Sequence, residues 1–171
     1  EMERLLDAFL AYARGDADLA TAPCDGAALA AERVERARSA GGAVTLADGA
    51  ITDGAPLALD AGLFTRAVDN LIGNALRYAG RARVGIHRDA GALQITVEDD
   101  GPGIPADRRA EAVQPFVRLD AARNQNLGGG VGLGLAIAAQ AAARHGGTLA
   151  LDDSPDLGGL RATLTFPTGR G

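Results

Sequence analysis

Apolar residues recur along the chain at two spacings, which predict an alternation of helices and strands. Between residues 61 and 79 they recur every three or four positions, as on one helix face, and between residues 92 and 98 they alternate with polar residues, as in a half-buried strand. The same patterns predict helices near residues 26–40, after Pro105 and at 136–145, and strands near 44–46, 56–59, 83–88, 148–151 and 160–166. This order predicts a two-layer α/β sandwich in which a mixed sheet carries helices on one face.

The start of the chain, residues 1–14, carries a further apolar stripe at helical spacing. A helix of this length is marginal alone in water, so the stripe predicts a packing partner. An ordinary N-terminal helix packed on the domain would show the same stripe. The residues of the stripe are Met2, Leu5, Leu6, Phe9, Leu10 and Ala13.

Composition bounds the function without naming it. With 171 residues, 47% of them hydrophobic, the chain is long enough to bury one good core. The net charge of −5 and the scattered arginines argue against a nucleic-acid surface. The single cysteine, Cys24, excludes an intramolecular disulfide and suits a reducing compartment. No apolar run reaches the roughly eighteen residues of a membrane span, so no membrane contact is expected from this fragment.

An acidic pair follows the strand predicted at residues 92–98. The segment from Val97 to Pro105 reads Val-Glu-Asp-Asp-Gly-Pro-Gly-Ile-Pro, so the strand ends by delivering the carboxylate of Asp99. Gly101 and Gly103 allow positive backbone torsions and the close approach of another molecule. A plain turn would use the same residues, so the neighbouring motifs decide between the two interpretations.

Polar residues share one face of the helix predicted at residues 61–79. Asn70 and Asn74 are one helical turn apart, Arg77 continues their face and Tyr78 follows it. Amide oxygens suit a hard cation, a guanidinium suits phosphate and an aromatic ring suits a base, so this face predicts a magnesium nucleotide site. A solvated polar stripe is the simpler alternative.

A glycine-rich loop opens the helix predicted at residues 136–145. Residues 128–135 read Gly-Gly-Gly-Val-Gly-Leu-Gly-Leu. Free amides and the positive end of the helix dipole make such a junction an anion site, although a flexible linker would also be rich in glycine. The loop is not a Walker loop, because Gly-Lys-Ser/Thr is absent, and no predicted strand precedes it as a dinucleotide fold requires.

Four segments in this order resemble the ATP-binding catalytic domain of a sensor histidine kinase of the two-component systems, and the resemblance covers nearly the whole chain. Asn70 to Tyr78 resembles the N box, Asp99 to Gly103 the first glycine box, Gln114 to Arg118 the F box and Gly130 to Leu135 the second glycine box. The segments around the first glycine box and the F box most resemble the osmosensor-type kinases. The resemblance implies the Bergerat ATP-binding fold, in which the mixed sheet is mostly antiparallel.

The resemblance also implies a domain order and an activity. Residues 1–18 would be the end of the second dimerisation helix, 19–25 a linker and 26–171 the ATP-binding catalytic domain. This domain would bind Mg-ATP and transfer the γ-phosphoryl group to a histidine on an upstream dimerisation helix. The full-length protein would be a homodimer that signals to a response regulator receiver domain, with this chain at the cytoplasmic end of a bacterial inner-membrane sensor.

Carried over to this sequence, the resemblance implies roles in phosphate and metal binding. Asn74 would hold the magnesium ion with support from Asn70, Arg77 would contact phosphate and Tyr78 would line the nucleotide. Arg118 would stabilise charge on the transferring group, so that Arg118, Arg77 and Asn70 form the catalytic set.

Adenine selection would rest on Asp99, which would accept a hydrogen bond from the adenine amino group while Ile104 packs on the base. Guanine presents a carbonyl at that edge and would leave a buried carboxylate unpaired. The amides of Gly132, Leu133 and Gly134 would cradle phosphate. The other nucleotide contacts implied by the glycine boxes are Gly101, Gly103, Gly130, Val131 and Leu135.

Three features depart from the family's pattern. Val131 stands where many relatives have threonine or serine, and Val113 stands where phenylalanine is common before the F box. No histidine fits the phosphate acceptor, because His87 lies in a strand-to-turn context and His145 lies at a helix end, where capping explains it. The chain is therefore not expected to label itself with phosphate.

A lid is predicted from Pro115 to Gly130, between the F box and the second glycine box. Apart from Leu127, its residues 120–130 offer little apolar area against the entropy of ordering. The lid should therefore be mobile when the site is empty and tighten over a bound nucleotide.

Other classes of protein stay open at this point. The gyrase and mismatch-repair ATPases, which share the implied fold, carry a water-activating glutamate where this chain has Asn70, so hydrolysis lacks its base provided that Asp69 points elsewhere. A pseudokinase would bind nucleotide without transferring phosphate. A serine-directed anti-sigma-factor kinase is disfavoured by the N-terminal apolar stripe.

Overall fold

A five-stranded sheet, a separate two-stranded sheet and a layer of helices make up the core of the described part of the chain. The computed structural model describes residues 18–119 and 132–169, together with residues 6, 9, 10, 12 and 13. In chain order the elements are β1 (Ala22–Cys24), α1 (Gly26–Ser39), β2 (Val44–Leu46), β3 (Leu57–Leu59), α2 (Ala61–Tyr78), β4 (Ala82–Arg88), β5 (Ala92–Asp99), α3 (Arg109–Ala112), α4 (Gly134–Arg144), β6 (Thr148–Asp153) and β7 (Leu160–Pro167). A 3-10 turn, Ala106–Arg108, leads into α3.

The main sheet has five strands in the order β2-β4-β5-β7-β6. Strand β2 runs parallel to β4, and all other neighbours in this sheet are antiparallel. The register sets Glu98 of β5 opposite Arg83 of β4 and opposite Arg161 of β7. The expected mixed, mostly antiparallel sheet is confirmed.

Helices α1, α2 and α4 pack on one face of this sheet, as predicted, and share one hydrophobic core with it. Buried residues alternate with half-buried ones along β5 until its last three residues, which are all buried. Phe64 of α2 packs on Phe166 of β7 with ring centroids 4.9 Å apart. The largest side chains buried here include Phe64, Phe166, Leu59, Leu71, Ile86, Leu93, Ile95 and Leu164.

His145 joins the end of α4 to the start of α2. Its Nε2 accepts a hydrogen bond from the amide of Asp60 at 3.0 Å, and its Nδ1 lies 2.7 Å from the carbonyl oxygen of Ala141. The carboxylate of Asp60 in turn accepts from the amide of Leu63 and so caps α2. Both imidazole nitrogens are therefore engaged within the fold, in agreement with the structural role expected for this histidine.

The sequence predicts a linker at residues 19–25, but the structure has the strand β1 within this range. It pairs antiparallel with β3 as a separate two-stranded sheet, from Ala22 opposite Leu59 to Cys24 opposite Leu57. A strand of three residues is too short to show an alternating pattern, which is why the sequence does not reveal it. Elsewhere the element boundaries lie within two residues of the predicted ones.

The apolar stripe at the start of the chain is partly described. Residues 6, 9, 10, 12 and 13 are helical, as predicted. Leu6, Phe9 and Leu10 are exposed, and the ring of Phe9 lies 6.5 Å from that of Phe116.

Every helix in the described ranges is too short or too polar to cross a membrane. Residues 120–131, which include most of the predicted lid together with Gly130 and Val131, lie outside the described residues.

Candidate functional site

The second half of α2 meets both glycine boxes. The carbonyl oxygen of Tyr78, the last residue of α2, is 2.9 Å from the position that a Cβ on Gly101 would take. The Oδ1 of Asn70 is 3.6 Å from the corresponding position on Gly134, where α4 begins. The fold thus brings together motifs that are separated by more than twenty residues along the chain.

Asp99, the last residue of β5, has a fixed and buried carboxylate. The residue is 5% exposed, and its Oδ1 accepts hydrogen bonds from the amides of Gly101 at 2.9 Å and Leu160 at 3.0 Å. Within the described residues, Oδ2 accepts none. Burial raises the pKa of Asp99 above its ordinary value, and Asp100 adds to the rise, although the two amide hydrogen bonds oppose it. The orientation of the carboxylate therefore leaves one oxygen for an additional donor.

The turn between β6 and β7 packs directly against Asp99, a feature that the sequence motifs do not reveal. The amide of Gly159 donates to the Asp99 carbonyl oxygen at 3.0 Å. A Cβ on Gly159 would overlap the carboxylate of Asp99 and lie 2.6 Å from the amide nitrogen of Gly101. Only glycine permits this approach. The sequence signal that marks the position is the pair Gly158-Gly159 directly before the strand predicted at residues 160–166.

The N-box side chains project from a continuous helix. Asn70, Asn74 and Tyr78 are half-buried, and Arg77 is exposed. The Nδ2 of Asn70 donates to the carbonyl of Arg66 at 2.8 Å, which leaves its Oδ1 on the side of α4. Within the described residues there is no cluster of three or more His, Cys, Asp or Glu side chains that could hold a metal ion. Asn70 and Asn74 offer amide oxygens at this face.

Asp69, which precedes Asn70, points towards α1. Its carboxylate lies 3.6 Å from the guanidinium of Arg33. Burial raises the pKa of Asp69, and the charge and hydrogen bond of Arg33 oppose the rise. Asp69 is therefore directed to Arg33 of α1. This is the orientation required if Asp69 is not to activate water.

Helix α4 begins without a side-chain cap among the described residues. The N-cap position is Leu133, whose side chain accepts no hydrogen bond from the first turn that starts at Gly134. Gly132 has φ +74°, and a Cβ there would lie 2.7 Å from the carbonyl oxygen of Val117, so the second glycine box needs glycine to fit against the F box. Leu133 and Leu135 are buried and anchor the start of the helix. Such a helix start favours an anion through its free amides and its dipole.

The F box is joined to the second glycine box through Phe116. Its amide donates to the carbonyl of Gly132 at 3.0 Å, and its φ of +65° is the only positive value of a non-glycine residue in the described ranges. Strained backbone of this kind is concentrated at functional sites. Phe116 is 52% exposed and Arg118 is also exposed, whereas Ile104, which follows the first glycine box, is half-buried and packs against the core.

The sequence profile of one family covers this whole arrangement. The family is described as histidine kinase-, DNA gyrase B-, and HSP90-like ATPase, and its profile matches residues 59–170, from β3 to beyond β7. The chain belongs to this family. The matched range contains the N box, the F box and both glycine boxes. The site described above therefore lies within the part of the chain that matches the family.

Comparison with individual proteins indicates which type of domain within the family this chain resembles. The sensor histidine kinase CpxA of Escherichia coli (strain K12) is 44% identical over 102 residues, which is 59% of this chain and 22% of CpxA. The ATP-binding domain of PrrB from Mycobacterium tuberculosis superposes with a TM-score of 0.70 at 27% identity, covering 88% of this chain and 98% of that domain. Full-length ShkA, solved in complex with AMPPNP, gives a TM-score of 0.72 at 27% identity, covering 98% of this chain and 36% of ShkA. The chain is an ATP-binding catalytic domain of the sensor histidine kinase type.

Proposed function

We propose that this domain binds Mg-ATP and transfers the γ-phosphoryl group to a histidine on an upstream dimerisation helix. From there the phosphoryl group would pass to a response regulator receiver domain. The full-length protein would act as a homodimer, with this domain on the cytoplasmic side of the membrane. The chain spans only 22% of CpxA and 36% of full-length ShkA, and these steps belong to the whole protein.

The buried and oriented carboxylate of Asp99 is the observation that carries the proposal. Two backbone amides hold Oδ1, so Oδ2 is the oxygen left for a donor on the base. The adenine amino group is such a donor. The guanine carbonyl at the same edge is an acceptor, so it could form no hydrogen bond with the carboxylate. Ile104 would pack on the base, and Tyr78 would line the nucleotide.

The N-box amides fit a magnesium ion. Magnesium is held by few protein oxygens and completes its shell with phosphate and water, so neutral amide oxygens suffice where a triphosphate supplies the charge. Asn74 would hold the ion and Asn70 would support it. When bound, the ion would neutralise charge on the phosphates.

The rest of the site would act on the triphosphate. The amides of Gly132, Leu133 and Gly134 lie at the start of α4 and would cradle phosphate, with Arg77 as a further contact. Arg118 would stabilise charge on the transferring group. A histidine nucleophile needs little activation, so positioning and charge neutralisation would carry the reaction. Hydrolysis would lack its general base, because Asn70 is neutral and Asp69 contacts Arg33.

Transfer in trans tests this activity. Incubated with radiolabelled ATP and magnesium, the chain alone should stay unlabelled, and a separately supplied dimerisation domain should acquire an acid-labile phosphate. The variant Asn74→Ala should lose most of this labelling. The control Gln94→Ala, on the open face of β5, should keep it. An acid-labile phosphate on His87 or His145 of the chain alone would show that the acceptor was misassigned.

A further inference from the structure

A second cluster of charged residues lies behind the adenine site, on the opposite face of the sheet. Glu98 is adjacent to Asp99 on β5, so the two side chains point to opposite faces. The Glu98 side chain is 7% exposed. Its Oε2 accepts from Arg83 at 2.7 Å, and its Oε1 accepts from Arg161 at 3.2 Å and from the hydroxyl of Ser154 at 3.0 Å. Both carboxylate oxygens are therefore fully used within the protein.

Ser154 connects this cluster to the turn between β6 and β7. The residue is 4% exposed, and its hydroxyl also accepts from the amide of Leu157 at 3.1 Å. Its backbone closes the turn, because its amide donates to the carbonyl of Gly159 at 2.8 Å and its carbonyl accepts from the amide of Gly158 at 3.1 Å. The hydroxyl thus couples the whole turn to Glu98.

A second link ties the same turn to the cluster. Asp156, in the middle of the turn, lies 2.5 Å from the guanidinium of Arg83, which also binds Glu98. The turn is therefore held at two points, because Ser154 binds Glu98 and Asp156 binds Arg83.

The far end of the turn reaches Asp99. The amide of Gly159 binds the Asp99 carbonyl oxygen, and the amide of Leu160 binds its Oδ1. Any shift of the turn moves one of the two donors that orient the carboxylate. Since a carboxylate with a single remaining donor can rotate, the free Oδ2 would no longer keep a constant direction.

We propose that Glu98 and Ser154 are positioning residues for adenine recognition, which hold the β6–β7 turn so that Leu160 fixes the Asp99 carboxylate. This inference rests on the proposed binding of ATP and identifies what aligns its base-selecting group. Neither residue touches the nucleotide. Their effect reaches it only through Asp99.

Calorimetric titration with two nucleotides isolates this effect. ATP and purine riboside triphosphate differ only in the amino group that Asp99 recognises, so the ratio of their Kd values reports the alignment of Oδ2. In Ser154→Ala and Glu98→Gln the preference for ATP should fall by about fivefold, as for one misaligned hydrogen bond, with the affinity for the analogue nearly unchanged. The control Thr96→Val removes a hydroxyl from the same face of β5, where it pairs with Thr163, and should keep the wild-type ratio.

The outcomes separate the possible roles. The proposal would be overturned if the variants bound both nucleotides more weakly by the same factor, or if the ratio of the two Kd values were unchanged in both variants. If thermal denaturation shows both variants unfolded, the cluster serves stability alone and the proposal also fails. A wild-type chain that binds neither nucleotide would instead contradict the proposed function itself.

Discussion

Glu98 and Asp99 are consecutive buried carboxyls whose pKa values move in opposite directions. Burial raises both pKa values, but at Glu98 the hydrogen bonds from Arg83 and Ser154 and the charge of Arg161 outweigh it, and the net pKa is lowered. At Asp99 burial prevails over two amide hydrogen bonds. The charged form of Glu98 is thus favoured by the fold, whereas that of Asp99 is disfavoured. A buried carboxyl whose charged form is disfavoured by its surroundings is characteristic of a binding site.

The effect of Glu98→Gln on the free energy of unfolding should depend on pH in the direction set by the lowered pKa of Glu98. A carboxyl with a lowered pKa in the folded state contributes stability above its unfolded pKa and loses it as the pH falls through the folded value. We therefore expect the variant to lower the free energy of unfolding at neutral pH by about 1–3 kcal/mol. The difference from the wild type should shrink below the ordinary glutamate pKa of about 4.3. Urea denaturation across this range is the measurement, and a difference that stays constant with pH would contradict the assignment.

The sequence singles out candidate residues where the motif is local. Asp99 ends an alternating strand and Asn70 and Asn74 lie one turn apart, so neighbouring residues are enough to find them. The partners of Asp99 are different, because Leu160 is 61 positions away and reaches it only through sheet pairing. The ion pairs of Glu98 with Arg83 and Arg161 depend on strand register in the same way.

At the scale of elements, the approach of the β6–β7 turn to the end of β5 depends on Gly159. Gly159→Ala would place a Cβ against the Asp99 carboxylate, so the backbone must shift. We expect a loss of about 1–3 kcal/mol in the free energy of unfolding, together with weaker ATP binding.

A matched substitution in the same sheet provides the control. In Gly85→Ala the new Cβ would lie 3.7 Å from the Cβ of Thr96, an ordinary contact, and stability should change by no more than about 0.5 kcal/mol. Chemical denaturation and nucleotide titration of the pair give the comparison. Equal stability and equal affinity in both variants would show that the close approach is not required.

Helices and strands differ in how clearly the sequence predicts them. Helix α2 follows from a long apolar period, and its predicted end is one residue beyond the observed one. Strand β1 has three residues, exists by pairing with β3, and leaves no periodic signal. The short α3 likewise follows from Pro105 and not from periodicity.

At the scale of the whole molecule, strand order is the part that periodicity does not encode. The patterns predict which segments are strands, but β2 becomes a parallel edge strand and β7 lies between β5 and β6. This order places the end of β5 beside the β6–β7 turn. The expectation of a mixed, mostly antiparallel sheet came from the family resemblance, which carries information on pairing that a single pattern lacks.

The same arrangement explains why the motifs work together. Helix α2 supplies the amides of the N box and α4 its free N-terminal amides, while β5 supplies Asp99. None of these elements alone would form the proposed nucleotide site, and their packing on one sheet would fix the distance between its base end and its phosphate end. The proposed adenine selection at Asp99 is accordingly the property on which the proposed kinase activity depends.

Calorimetric titration with Mg-ATP and Mg-GTP, on the wild type and on Asp99→Asn, measures this property most directly. The asparagine oxygen can still accept from Gly101 and Leu160, but its amino group would face the adenine donor. The wild type should prefer ATP by at least about tenfold, and the variant should lose most of that preference. Equal affinity of the wild type for both nucleotides, or an unchanged preference in the variant, would contradict adenine recognition by Asp99.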